Sequence, residues 1–83
     1  MSHQFGRIVV PFYIYEIPSI KHREERNWAT EQEALSALKH VARRGVDQGA
    51  PKDQPIILSE KSSGRKLYEG PIGVATKPLP PQG

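Results

Sequence analysis

The order of hydrophobic and polar residues predicts a strand near the beginning of the chain. β-branched and aromatic residues dominate positions 7–17, as is typical of strands. Both faces of this strand are apolar, so we expect it to be buried on two sides or to present Tyr13 and Tyr15 to a partner. Pro11 lacks an N–H and favours a sheet edge or a bulge, and Pro18 ends the strand.

The clearest pattern in the chain is that of an amphipathic helix. Thr30 and Glu33 have the spacing of a capping box, in which each side chain satisfies a backbone N–H of the other residue. Apolar residues then recur at helical spacing, at Ala34, Leu35, Leu38, Val41 and Ala42. Gly45 is the residue type that most often follows the end of a helix, where the backbone takes a left-handed conformation. The sequence therefore predicts a helix from about Glu31 to Arg44.

The remaining segments predict a small sheet. Positions 19–29 are highly charged and are compatible with a returning strand or with a solvated loop. Positions 55–60 and 65–70 have the composition of two strands, and a tight turn at 61–64 joins them. The fold class that follows is α+β, with an antiparallel sheet of three or four strands in β(β)αββ order covered by one helix.

The length of 83 residues predicts a single domain with a small core. We expect a flexible N-terminus at 1–6, a folded domain at 7–70 and an extended or disordered tail at 71–83. The tail is predicted because four of the eight prolines lie in it. Because so little chain remains for the core, we expect a partner to complete it. A second copy of the chain, in a homodimer, is one such partner.

Composition excludes several kinds of chemistry. The absence of cysteine removes disulfides, thiolate metal sites and thiol nucleophiles. His3, His22 and His40 are scattered without metal-ligand spacing, and no serine, base and acid are brought together by the pattern. We therefore expect no metal, no cofactor and no enzymatic activity.

The N-terminal residues show no signal-peptide cleavage pattern, and the longest apolar run is too short to span a bilayer. We expect a cytoplasmic protein without membrane contact. Twelve Lys and Arg residues against nine Asp and Glu residues give a net charge of +3. This mild excess is compatible with a nucleic acid or with an acidic protein surface.

One string adds a resemblance. Trp28-Ala29-Thr30, the helix that follows and the Ser63-Gly64 turn look like small bacterial and phage domains in which a strand, a Thr-capped helix and a hairpin follow one another. The resemblance covers part of the chain and brings no activity or site residues with it.

Our leading hypothesis is a small non-enzymatic binding protein that occupies a surface of a larger macromolecular partner, and a protein is the expected partner. A regulatory or inhibitory accessory protein of a phage or mobile element, directed at a host complex, is one form of it. The alternative is a basic nucleic-acid-binding module. The expected contact residues are two aromatic anchors and four cations: Tyr13, Tyr15, Arg43, Arg44, Arg65 and Lys66.

Overall fold

A computed structural model describes residues 11–78, which form an antiparallel sheet with one long helix on one face. The elements in chain order are β1 (Phe12–Ile17), a 3₁₀ turn (Pro18–Ile20), β2 (His22–Asn27), α1 (Glu31–Asp47), β3 (Pro55–Glu60), β4 (Lys66–Pro71) and α2 (Ile72–Ala75). The sheet has four strands in the order β2-β1-β3-β4, and every neighbouring pair is antiparallel. The predicted α+β class is confirmed.

The charged segment at 19–29, left open by its sequence, contains the strand β2. Pro18 ends β1 and begins the 3₁₀ turn, and Lys21 then adopts a left-handed φ of 54° that reverses the chain. β2 pairs along its whole length with β1, with Glu24 opposite Tyr15. Because β1 lies between β2 and β3, the polar strand β2 stands at an edge of the sheet.

The capping box at the start of α1 is present. The Thr30 hydroxyl accepts a hydrogen bond from the Glu33 backbone N–H, and the Glu33 carboxylate accepts one from the Thr30 N–H, both at 3.2 Å. The helix continues to Asp47, three residues beyond the predicted end at Arg44. The prediction that Gly45 follows the helix is wrong, because Gly45 is a buried residue inside it.

The core lies between α1 and one face of the sheet. β1 and β3 contribute their inward-facing side chains, and α1 contributes its apolar stripe: Tyr13, Tyr15, Ile17, Ala34, Leu38, Val41, Ala42, Ile56 and Leu58. The opposite face of the sheet carries Phe12, which is 44% exposed, beside the half-buried Ile14 and Ile57. The interpretation that β1 presents its tyrosines to a partner is therefore corrected: they face the helix.

The packed region extends beyond the predicted boundary at residue 70. Pro71 belongs to β4, and the short α2 buries Ile72 and Ala75 against the core. The Ile72 N–H donates to the Gln54 carbonyl at 2.7 Å, which joins this end to the β3 entrance. The tail prediction is thus corrected for residues 71–75. The predicted flexible segment 1–6 and residues 79–83 lie outside the described residues.

In the region 11–78, no helix has the length and apolar character that a membrane crossing requires.

Candidate functional site

A groove lies where the edge strand β2 meets the side of α1. Its volume is about 200 Å³, and seven residues line it: Tyr15, Arg26, Trp28, Ala37, His40, Val41 and Arg44. The α1 members are spaced three, four and seven residues after Ala37, so they share one helical face. We call this site the Trp28 groove.

A second depression continues the Trp28 groove toward the start of α1. Its volume is about 310 Å³, and it shares Trp28, Ala37 and His40 with the first. Its other lining residues are Gln32, Glu33, Ser36 and Lys39. The Trp28 side chain therefore stands between two connected lobes. We call the first depression the arginine lobe, which contains Arg26 and Arg44, and the second the cap lobe, which contains Gln32 and Glu33. From here on, the Trp28 groove means both lobes together.

Trp28 is held by the end of β2. Its backbone N–H donates to the Pro11 carbonyl at 3.2 Å, and its partly buried ring packs against the core. The indole Nε1 is buried and has no hydrogen bond of normal geometry. The Tyr15 hydroxyl is close enough to interact with this indole, although the geometry is not that of a normal hydrogen bond.

The floor of the groove is the fully buried Tyr15. Its hydroxyl donates to the Ala34 carbonyl at 2.6 Å. Burial raises the pKa of Tyr15 to about 12, against a smaller lowering by the nearby Trp28 indole. Tyr15 therefore stays neutral, and the charge of the site comes from its rim.

The rim charges are organised by Glu24. This carboxylate accepts from Arg26 Nε at 2.7 Å and from Arg44 Nη2 at 3.3 Å, and it lies 2.7 Å from His22 Nε2. The side chain of Glu24 is 15% exposed, whereas those of Arg26 and Arg44 are 48% and 50% exposed. One carboxylate faces two guanidinium groups, so the rim keeps a net positive charge.

Glu24 stays ionised at neutral pH. Burial raises the pKa of Glu24, but the hydrogen bonds with His22 and Arg26 and the charge of Arg44 oppose it. Together they hold this pKa below its ordinary value. The carboxylate therefore keeps both guanidinium groups in place.

The structure separates the contact residues that the sequence suggested. Arg44 lies in the Trp28 groove, whereas Arg43 is not among the lining residues and donates from Nε to the Thr76 carbonyl at 2.8 Å. Arg65 pairs with Glu31 at the opposite end of α1, and Lys66 pairs with Glu69 at 3.0 Å. These four cations do not form one surface. Tyr13 and Tyr15 are in the core, with 2% and 0% exposure.

The contact residues expected from the sequence do not include Arg26, Trp28 or His40. A signal for them existed, because Arg26 and Trp28 share one face if the segment 19–29 is a strand. Helical spacing likewise puts His40 beside Arg44 on α1. Neither pattern shows that the end of β2 and this face of α1 lie on opposite sides of one groove.

The chain matches no model of a known protein family, and neither the curated proteins nor the solved structures contain a significant match. Between residues 11 and 78, no three His, Asp or Glu side chains are grouped so that they could hold a metal ion.

Proposed function

We propose that this protein is a non-enzymatic binding protein that holds an acidic segment of a larger protein in the Trp28 groove. The observation that carries the proposal is that Trp28, Arg26 and Arg44 line one concave site together. Tryptophan and arginine are the side chains most enriched among residues that dominate binding energy. A concave site with such a centre can bury an apolar side chain while its rim contacts an anion.

The arrangement around Glu24 supports an anionic ligand. Glu24 accepts from the Nε of Arg26 and from one terminal nitrogen of Arg44. The other guanidinium N–H groups of both side chains can donate to a ligand. Because both guanidinium groups already contact Glu24, an anion that binds them restricts fewer additional rotamers than it would with unpaired arginines. A carboxylate is the planar anion that a guanidinium binds best.

The cations of the site are concentrated in the arginine lobe. Lys39 lines the cap lobe, where Glu33 balances its charge, and His40 lies at the shared centre. Charges of one sign around a cleft raise the rate at which a partner of opposite sign associates. An acidic protein segment is therefore the partner that this surface favours.

A nucleic acid is the alternative anion. Base stacking needs several exposed aromatic rings, and the groove offers only the half-buried Trp28, since Tyr13 and Tyr15 lie in the core and Phe12 is on the opposite face of the sheet. Glu24 also places a negative charge at the base of the arginine lobe. These features support a protein partner over a phosphate backbone.

The replacement Arg44→Glu is expected to weaken binding of a peptide of alternating glutamate and leucine about tenfold. It removes one attraction at a half-exposed site and adds a repulsion, together worth about 1.4 kcal/mol. Calorimetric titration measures the affinity. Arg65→Glu is a matched control, because Arg65 is 53% exposed, pairs with a single carboxylate and lies at the far end of α1.

Equal weakening by Arg44→Glu and Arg65→Glu would contradict the proposal, since it would show a general charge effect. Failure of the wild-type protein to bind the peptide would contradict it as well. A parallel titration with single-stranded DNA at several salt concentrations tests the alternative. Tight binding with a steep salt dependence there would favour a nucleic acid instead.

A further inference from the structure

The two lobes of the Trp28 groove differ in charge. The arginine lobe has two guanidinium groups against one carboxylate, whereas the cap lobe has Lys39 balanced by Glu33 and is otherwise lined by the neutral Gln32 and Ser36. The Trp28 ring lies at their junction. A ligand that spans both lobes therefore meets a positive end, an aromatic centre and a neutral polar end.

Glu33 is occupied by the helix cap. Its carboxylate accepts from the backbone N–H groups of Ala29 and Thr30 at 3.0 and 3.2 Å. These bonds fix the position of the Glu33 carboxylate, whose negative charge balances that of Lys39 in the cap lobe. An acidic side chain placed there would meet both groups and gain no net attraction, whereas in the arginine lobe it would be attracted by Arg26 and Arg44.

The length of the groove suits a short extended peptide. Gln32 and Arg44 are twelve positions apart on α1, which corresponds to about 18 Å along the helix axis. An extended chain covers that distance with about five or six residues.

We infer that the Trp28 groove binds a peptide segment with acidic residues in the arginine lobe, an apolar side chain against Trp28 and neutral polar residues in the cap lobe. This inference rests on the proposed function and adds to it the order of residues in the ligand. The partner is thereby defined as a segment whose acidic and polar halves are separate.

Two peptides of identical composition test the order. One has its glutamates on one side of a central leucine and its serines on the other, and in the second glutamate and serine alternate along the chain. The wild-type protein is expected to bind the first at least about threefold more tightly, because only separate acidic and polar halves match both lobes. Calorimetric titration of each peptide measures the ratio.

The variant Gln32→Arg gives the cap lobe the same net charge as the arginine lobe. It is expected to remove the preference for the first peptide, because an acidic residue is then attracted in either lobe. Equal wild-type affinity for both peptides, or a preference that Gln32→Arg leaves unchanged, would overturn the inference and leave the proposed function standing. Binding of neither peptide would instead overturn the proposed function.

Discussion

The replacement Leu38→Ala is expected to lower the free energy of unfolding by about 3–5 kcal/mol, the range for a fully buried leucine. Leu38 is completely buried on α1, within the cluster that joins the helix to β1 and β3. Truncation removes apolar contacts and leaves a cavity that a small core cannot close without moving the helix. This loss is comparable with the whole stability of a small domain.

Urea denaturation followed by circular dichroism measures the effect. Leu35→Ala is the matched control, because Leu35 lies on the same helix but is only half-buried. It is expected to cost about 1 kcal/mol, in proportion to the smaller area that it removes from water. Similar losses for the two variants would show that α1 does not pack on the sheet through Leu38.

The replacement Gly45→Val is expected to cost about 3 kcal/mol, although valine is a better helix former than glycine. A Cβ atom at Gly45 would lie 2.5 Å from Ile17 Cδ1 and 3.0 Å from Ile72 Cδ1. Both isoleucines are fully buried and have little room to move. Overpacking therefore outweighs the gain in helix propensity.

Ser36→Val is the control for the second variant, because Ser36 is exposed on the same helix. Its effect is expected to stay within about 0.5 kcal/mol, since it changes only local propensity. Thermal denaturation of both variants gives the comparison. A stabilised Gly45→Val protein would contradict the close approach of α1 to Ile17 and Ile72.

The helix could be predicted because its signals are local. Thr30 and Glu33 lie within one turn, and the apolar stripe of α1 repeats every three or four residues. The end of the helix could not be located in the same way. Gly45 ordinarily ends helices, but here it allows α1 to pack closely on Ile17 and Ile72, which are distant in sequence.

The hydrophobic pattern of β1 does not predict which face of the strand packs against the helix. Because both faces are apolar, alternation alone does not say whether Phe12 and Ile14 or Tyr13 and Tyr15 meet the helix. The position of α1 decides it, and the Tyr15 hydroxyl is satisfied by the Ala34 carbonyl. Tyrosine can serve as a core residue or as an exposed anchor, so residue type alone predicted the wrong face.

Half of the Trp28 groove is visible in the sequence, and the other half depends on tertiary contacts. Alternation puts Arg26 and Trp28 on one face of β2, and helical spacing puts His40 and Arg44 on one face of α1. The packing of one face against the other is set by the core rather than by either pattern. The charged contact sites suggested by Arg65 and Lys66 lie elsewhere for the same reason.

The most direct test of the Trp28 groove as the binding site is a heteronuclear NMR titration with the peptide of alternating glutamate and leucine. Trp28 is the only tryptophan, so the protein has a single indole N–H signal. We expect this signal and the backbone amides of His40 and Arg44 to shift, while those of Ile14 and Ile57 on the opposite sheet face stay in place. A peptide that binds while shifting Ile14 and Ile57, and leaves the indole signal unmoved, would contradict the account.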